Sequence, residues 1–368
     1  MFLIAFKNLL QEKTKFLLSI GGVSFAIVLM IVLLGVYEGF KDQFVVNIIK
    51  NPADMFVVQE GIRDFFHGVS IIPNETGEKI KNIEGVREAV PLIGIRAIVE
   101  LNEKKWDLLM FSFEQDSNLG APWNIVEGTD RLKENQIVID ERFARDNNLQ
   151  LEDRLIANSN EFTIVGMTKG TASIITSFAF IRLDDARKLS SLPNSANYYS
   201  VVVDNPEHIE AVKANIEKET EDLKAFTKQE FVDNNMEEIE EGYLPIVWSM
   251  VVIAFVVGVA IIALTVYTAT IDKSREYGIL KAVGIRDIHL YQIVFYQSLI
   301  SSILGFFVGV GLSFGIGRIL DIYLGLTTDI NQTTIIYIFI VVLVMSVIAT
   351  FVPVRRITNI DPAEVFKS

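Results

Sequence analysis

The 368-residue chain contains no cysteine. That excludes a disulfide framework, a thiolate zinc site and a cysteine nucleophile, and it points to no particular compartment. Histidine is almost as scarce. His67, His208 and His289 stand far apart in sequence, so no histidine-rich metal site is expected. No P-loop run of the GxxxxGKS or GxxxxGKT type occurs, so the chain is not read as its own ATPase. GxSxG, HExxH and EF-hand patterns are missing too. Ser173 to Ser177 and Ser190–Ser191 read as loop material with no partnering histidine close by. Basic charge is in deficit, with 33 Lys and Arg against 46 Asp and Glu and a net charge of −13. No basic face dominates, so no nucleic-acid partner is expected.

What the chain does have is apolar residues. Half of it is hydrophobic and the mean hydropathy is +0.36. That composition fits a membrane protein with a soluble part. Residues 1–15 form a short opening with Lys7, Lys13 and Lys15 against one acid, Glu12. Residues 16–37 are uncharged to Tyr37, long enough to span a hydrocarbon core of about 30 Å. A cleaved signal peptide is the alternative. The run is longer than such a core and no small-x-small site follows, so an uncleaved first span is expected. Further spans are expected at 244–270, 290–320 and 334–352, with Pro353 stopping the last and Arg355 and Arg356 at its exit. None of the four runs contains a carboxylate. Proton and ion relays normally need intramembrane ionisable groups, which disfavours a secondary transporter.

Residues 38–243 are different material, with about 38 acidic and about 22 basic side chains and apolar runs of strand length. The ends of this stretch read as two strand–helix–strand units. One has a strand at Asp54–Val58, a helix at Pro73–Ile83 and a strand pair at Ala89–Leu101. The other has Tyr198–Val203, Pro206–Glu219 and Leu223–Thr227. Together, 54–101 and 198–227 predict a split ferredoxin-like domain. The intervening 102–197 predicts a β-rich inserted lobe, with strands at Leu108–Phe113, Gln136–Asp140, Leu155–Ala157, Phe162–Val165 and Ala179–Arg182 and a short helix at Glu141–Asn147. Residues 229–242 predict an acidic helix. Its carboxylates are read as a solvated face rather than a metal site.

Between the second and third spans lies 272–287, DKSREYGILKAVGIRD. Arg275, Lys281 and Arg286 are basic, and Ile279, Leu280 and Val283 recur at helical spacing. This predicts a short amphipathic helix where bilayer meets water, the alternative being a loop with snorkelling basic residues. Gly284 is placed just past its C-terminus, and Asp287 is expected to cap the next helix. The third span holds two small-xxx-small pairs, Gly305/Gly309 and Gly311/Gly315, able to pack within the chain or between two chains. Basic residues flank the membrane at the N-terminus, at 272–287 and in the tail 353–368. The positive-inside rule then puts both termini in the cytoplasm, with 38–243 and the short loop 321–333 outside. The fold class expected is an α-helical membrane protein with four transmembrane helices plus a large α+β extracytoplasmic domain, a ferredoxin-like part carrying a β-rich inserted lobe.

The run Arg275-Glu276-Tyr277-Gly278-Ile279-Leu280-Lys281-Ala282-Val283-Gly284 resembles the "REIGILKAIG" segment of the FtsX/MacB family of mechanotransmission ABC transporter permeases. The likeness extends along the whole chain. Ala5-Phe6-Lys7-Asn8-Leu9-Leu10 fits the family's basic amphipathic opening, and Ile139-Asp140-Glu141-Arg142-Phe143-Ala144 resembles its strand-to-helix step. Asp361-Pro362-Ala363-Glu364-Val365-Phe366 resembles its "DPAEAL" ending, either a second ATPase contact or a membrane-edge helix. Where the family has glycine-aspartate before a strand of the inserted lobe, this chain has Glu152-Asp153.

The resemblance implies a porter-like part in the outer domain, a stalk at 229–242 and a coupling segment at 272–287 that docks on an ATP-binding subunit. It implies that Arg275, Glu276, Gly278, Leu280, Lys281, Val283 and Gly284 carry that coupling. Arg275 and Glu276 would be the contacts, Leu280 and Val283 the packing face, and Gly278 and Gly284 the shape. ATP and Mg would be bound by the partner, with no cofactor in this chain, and a second permease copy, identical or not, would complete a dimer in a bacterial inner (plasma) membrane. The function implied is a permease subunit passing ATP-driven motion to the outer domain, for export of a lipid, lipoprotein, peptide or hydrophobic small molecule. The alternatives are an FtsX-like regulator of a cell-wall hydrolase and an ATPase-independent structural or receptor protein. Leu10-Gln11-Glu12-Lys13-Thr14-Lys15 also resembles the DevC type, which works with a membrane fusion protein and an outer-membrane channel.

Overall fold

The computed structural model describes residues 1–65, 68–101, 104–172, 177–190 and 194–358. His67, the serine-bearing loop from Ser173 and the tail at Asp361–Phe366 lie outside them. The chain opens with α1 (Phe2–Gln11) and α2 (Lys13–Lys50), then β1 (Met55–Gln59), β2 (Ile72–Pro73), α3 (Asn74–Lys81) and β3 (Val86–Leu92). There follow β4 (Gly94–Leu101), β5 (Lys104–Phe113), β6 (Ile125–Gly128), β7 (Gln136–Asp140), α4 (Glu141–Asp146), β8 (Arg154–Ala157), β9 (Asn160–Thr168), β10 (Ser177–Arg182) and α5 (Leu183–Leu189). Then come β11 (Ser195–Ala196), β12 (Tyr198–Val203), α6 (Ile209–Glu219), β13 (Leu223–Thr227), α7 (Lys228–Asp272), α8 (Ser274–Ala282), α9 (Asp287–Leu324) and α10 (Gln332–Thr358). Two compact units result, Phe40–Gly242 and Met1–Gly39 with Tyr243–Ser368.

In Phe40–Gly242, four antiparallel strands lie in the order β13-β1-β12-β3. With α3 and α6 as crossovers this is the ferredoxin-like order 4-1-3-2. Both faces are covered, which is why β1 reads as an unbroken apolar run rather than an alternating one. Met55 and Val57 share a cluster with Ile80 of α3 and Val212 and Ile216 of α6. Phe56 and Val58 face the other way, toward Val45 and Ile48 of α2 and Phe231 and Val232 of α7. Phe56 and Phe231 stack at 5.0 Å, and Phe65 stands edge-on to Phe231 at 5.0 Å and to Tyr198 at 4.6 Å.

The inserted lobe is a second sheet in the order β6-β9-β7-β10-β5-β4-β8, and β8 also pairs with β9. Six of its strands therefore form a closed ring, with β6 attached outside. Alternation sorts the two sides. Ile137, Ile139, Ala179 and Ile181 join one cluster, while Val138, Phe178 and Phe180 join another. The expected boundary at 101/102 is corrected here. Gly94–Leu101 is a strand of the ring, paired along its length with β5. The strand pair read at Ala89–Leu101 is two strands of two sheets, separated only by Ile93. Asn197 secures this junction, taking the Gly94 N–H at 3.1 Å and donating from its backbone N–H to Leu92 at 3.0 Å. Glu152 holds φ +70°, so it takes the left-handed conformation where the resembled family has glycine.

Four helices are long and apolar enough to cross a membrane: Lys13–Lys50, Lys228–Asp272, Asp287–Tyr323 and Gln332–Arg355. They exceed the runs read from sequence. The expected stalk and second span are one helix, α7, with Pro245 inside it. Pro353 does not stop the last helix as expected, because α10 carries it and continues to Thr358. A proline removes one backbone donor, and neighbouring helices make that tolerable in an apolar bundle. The two glycine pairs part company. A Cβ at Gly305 would lie 2.7 Å from Val23, and one at Gly309 2.8 Å from Ile27 and 3.1 Å from the Ser24 carbonyl. Ser24 Oγ donates to the Gly305 carbonyl at 3.0 Å. Gly305/Gly309 is thus the seam between α2 and α9, while Gly311 and Gly315 have nothing within 4 Å.

Two predictions follow from this packing. Gly309→Leu should overpack the α2–α9 seam by about 1–3 kcal/mol, while Gly311→Leu should be tolerated. Thermal unfolding midpoints of the purified full-length chain in detergent check the contrast. The second concerns the start of α7, where Thr227 and Glu230 form a capping box. Glu230 N–H donates to Thr227 Oγ1 at 3.2 Å, and Thr227 N–H donates to Glu230 Oε2 at 2.8 Å. Thr227→Ala should cost about 1 kcal/mol. Burial alone would raise the Glu230 carboxyl, but hydrogen bonds from Lys213 and Thr227 outweigh it and hold it below its ordinary value. Its stabilising effect is therefore present at neutral pH and lost as pH falls below the ordinary carboxylate range. Glu230→Gln should remove that part of the acid sensitivity, read as the unfolding midpoint against pH.

Candidate coupling site

The segment between α7 and α9 is short because two backbone devices turn the chain. Lys273 alone interrupts the helices, at φ −97° and ψ 10°. After Ala282, Gly284 adopts φ +97°, which a residue with a Cβ takes only at a cost. The Ile285 N–H donates to the Leu280 carbonyl at 3.0 Å and the Gly284 N–H to the Lys281 carbonyl at 3.0 Å. That is a Schellman C-cap, with Leu280 and Ile285 as its apolar pair, both packed against the apolar core between the helices. Gly284 therefore sits where expected. Asp287 does not act as the cap of the next helix. Arg286 holds the N-cap position without a side-chain bond, and Asp287 is the first helical residue. There its charge suits the helix N-terminus, and it pairs with Lys281 at 3.2 Å.

The amphipathic reading is right in kind and wrong in face. The inward residues are Lys273 and Tyr277, both buried, with Gly278 buried beside them and Leu280 half-buried. The outward residues are Arg275, Glu276, Ile279 and Val283, the last 78% exposed. Leu280 and Val283 do not form one packing face, because Val283 lies past the last full turn. Lys281 is turned aside toward Asp287. The outward strip is thus one cation, one anion and two apolar side chains on a capped two-turn helix. Such a strip suits docking against a groove on another protein, with its apolar residues buried and its charges setting register. Among the described residues no group of three or more His, Asp or Glu is placed to hold a metal ion.

Sequence reasoning missed the inward side. The Lys273 ammonium donates to Gln11 Oε1 at 2.7 Å, Asn8 Oδ1 at 3.0 Å and Glu276 Oε2 at 3.4 Å. Lys15 pairs with Glu12 at 3.1 Å and with Asp272. The Tyr277 hydroxyl lies by Asn8 and Gln297 without an ordinary hydrogen-bond geometry, and burial pushes it up to about 12. The spacing 273–277–280 was the available signal, one helix face beginning with a lysine.

Residues 16–219 match the MacB-like periplasmic core domain, and residues 248–362 match the FtsX-like permease C-terminal domain. An uncharacterised ABC transporter permease of Methanocaldococcus jannaschii is 23% identical, covering 99% of this chain and 96% of its own length. A putative hemin transport system permease protein, HrtB, of Staphylococcus haemolyticus is 20% identical over 90% of this chain and 89% of its own. The extracellular domain of the noncanonic ABC-type transporter YknZ from Gram-positive bacteria is 11% identical, with a TM-score of 0.38 over 48% of this chain and 100% of that one. With the core-domain match covering more than half of its residues and the C-terminal match most of the remainder, the chain belongs to the MacB/FtsX-type family of ABC transporter permeases.

Proposed function

We propose that this chain is the transmembrane subunit through which an ATP-binding partner moves an extracytoplasmic domain, in the service of export. The observation that carries the reading is the outward strip of α8, Arg275, Glu276, Ile279 and Val283, held on a capped helix between two membrane-spanning helices. A family of ABC permeases needs ATP from somewhere, and this chain has no P-loop. The nucleotide and its Mg then belong to the partner. Basic residues near α1, α8 and the end of α10 favour the cytoplasmic side for both termini. Spans without carboxylates favour transmission of motion over a polar conduit, and so a substrate handled outside the membrane or drawn from its outer leaflet. Lipids, lipoproteins, peptides and hydrophobic small molecules fit that route. A second permease copy completes the complex in this reading.

The test is affinity purification of the tagged chain from native membranes. A P-loop ATPase should co-purify in stoichiometric amount. Reversing the charges (Arg275→Glu with Glu276→Arg) should cut its recovery or its coupled hydrolysis at least tenfold, about 1.4 kcal/mol, with the chain still monodisperse. Recovery of a fusion protein would add weight to export, and recovery of a cell-wall hydrolase would favour the regulator. Unaltered coupling in the reversed variant would sink the assignment. The helix shape has its own test. Gly284→Ala should strain the Schellman turn by about 1–2 kcal/mol and lower ATPase recovery while Gly311→Ala does not.

A further inference from the structure

Lys273 is the single residue between α7 and α8, so any change in the angle between those helices occurs at it. Its side chain is 8% exposed. An ammonium has three donors and no acceptor, and here three acceptors surround it. Two of them, Asn8 and Gln11, stand one turn apart on α1. The third, Glu276, is on α8 itself. A buried ammonium without partners would be strongly unfavourable, so these bonds fix its position. α1 is held from its other side by buried Ala5 and Leu9, and by the Phe2 ring edge-on to Tyr296 of α9 at 5.8 Å.

The α1–α8 joint is part apolar and part polar. Beside the ammonium lies a cavity of about 20 Å³ lined by Asn8, Ser19, Thr265, Gln297 and Ser301 among others. That is room for about one water centre. Gln297 Oε1 and Ser301 Oγ are buried there without a hydrogen-bond partner. The joint has an apolar half, where Ala5 of α1 and Tyr277 and Leu280 of α8 meet in one cluster, and a polar half, where the Lys273 bonds are the direct tie between the two helices.

We infer that Lys273 is a positioning residue that locks α8 to α1, so that displacement of α8 carries α1 with it as one body. The consequence for coupling rests on the permease reading above, whereas the lock itself does not. α1 is joined to α2 by the short break at Glu12. A push on α8 therefore reaches two spans, α7 by direct continuity and α2 through Lys273, Asn8 and Gln11. The residue acts through other groups and needs no contact with nucleotide or substrate.

The absence of native cysteine makes the test direct. Spin labels are placed at Lys7→Cys on α1 and Val283→Cys at the end of α8, both exposed. The labelled chain is diluted with unlabelled chain in phosphatidylcholine vesicles, so that only within-chain distances are read. The parent should give a narrow distance distribution. Lys273→Met should at least double its width, and Lys273→Arg should restore it. Gln11→Leu, at an exposed position, removes one acceptor and should broaden the distribution by an intermediate amount, which keeps the test decisive if Lys273→Met fails to fold. Widths equal to the parent in Lys273→Met, or in Gln11→Leu where Lys273→Met does not fold, overturn the lock. A merely structural role would lower the unfolding temperature and leave the widths unchanged below it. In the complex with the co-purified ATPase, Lys273→Met should reduce coupled hydrolysis at least tenfold at unchanged KM for ATP. If the parent chain binds no ATPase, the permease reading fails while the label widths still judge the lock.

Discussion

The structure depends on covering both faces of a four-stranded sheet. A sheet with one wet face would let β1 alternate, but Met55, Phe56, Val57 and Val58 are all buried. Helices α3 and α6 cover one side, and the charged ends of α2 and α7 cover the other. Phe231 is the centre of that second cover, stacked on Phe56 and edge-on to Phe65. The same two helices supply apolar spans further along their length. Each must therefore be amphipathic over one part and apolar all round over another, and that explains the abrupt compositional change near residues 38 and 243.

Much of this was legible because it is local. Strand β7 and helix α4 follow from an apolar run, a capping aspartate and a charged helix; Asp140 accepts from the Arg142 N–H at 2.8 Å. The four spans follow from length and hydropathy, and Gly284 from the rule that helices end on a left-handed residue. What was not legible is long-range. At Ile93 an unbroken buried run, Ala89–Ile93, gives way to the alternation of β4, but that change of pattern does not say which sheet each half joins. Lys273 finds two of its three acceptors, Asn8 and Gln11, near the other end of the chain, and no periodicity encodes that. Pro353 misled because a local rule was overridden by the surrounding helices.

The two glycine pairs show how one motif divides by context. Gly305 and Gly309 admit Val23 and Ile27 of α2, and Ser24 adds a hydrogen bond at the closest approach. Gly311 and Gly315 lie on the open side of the same helix. Spacing alone is the same in both pairs. What separates them is the direction each faces: at 3.6 residues per turn, the six residues between the pairs turn the second about 120° away from the first. The turn after α8 repeats the lesson: Leu280 and Val283 are three residues apart, and the C-cap places one inward and the other outward.

The ring of six strands bears on life in a crowded compartment. A strand edge is a row of unpaired donors and acceptors that another chain can zip onto. β8 pairs along its length with β9 and meets β4 at the single pair Val99–Ala157, which leaves the ring only a short open seam between β4 and β8. The strand hung outside it, β6, is four residues long and out of regular register with β9, a poor template for a passing polypeptide. This lobe can therefore stand densely packed beside copies of itself, or beside unfolded chains, and stay separate from them.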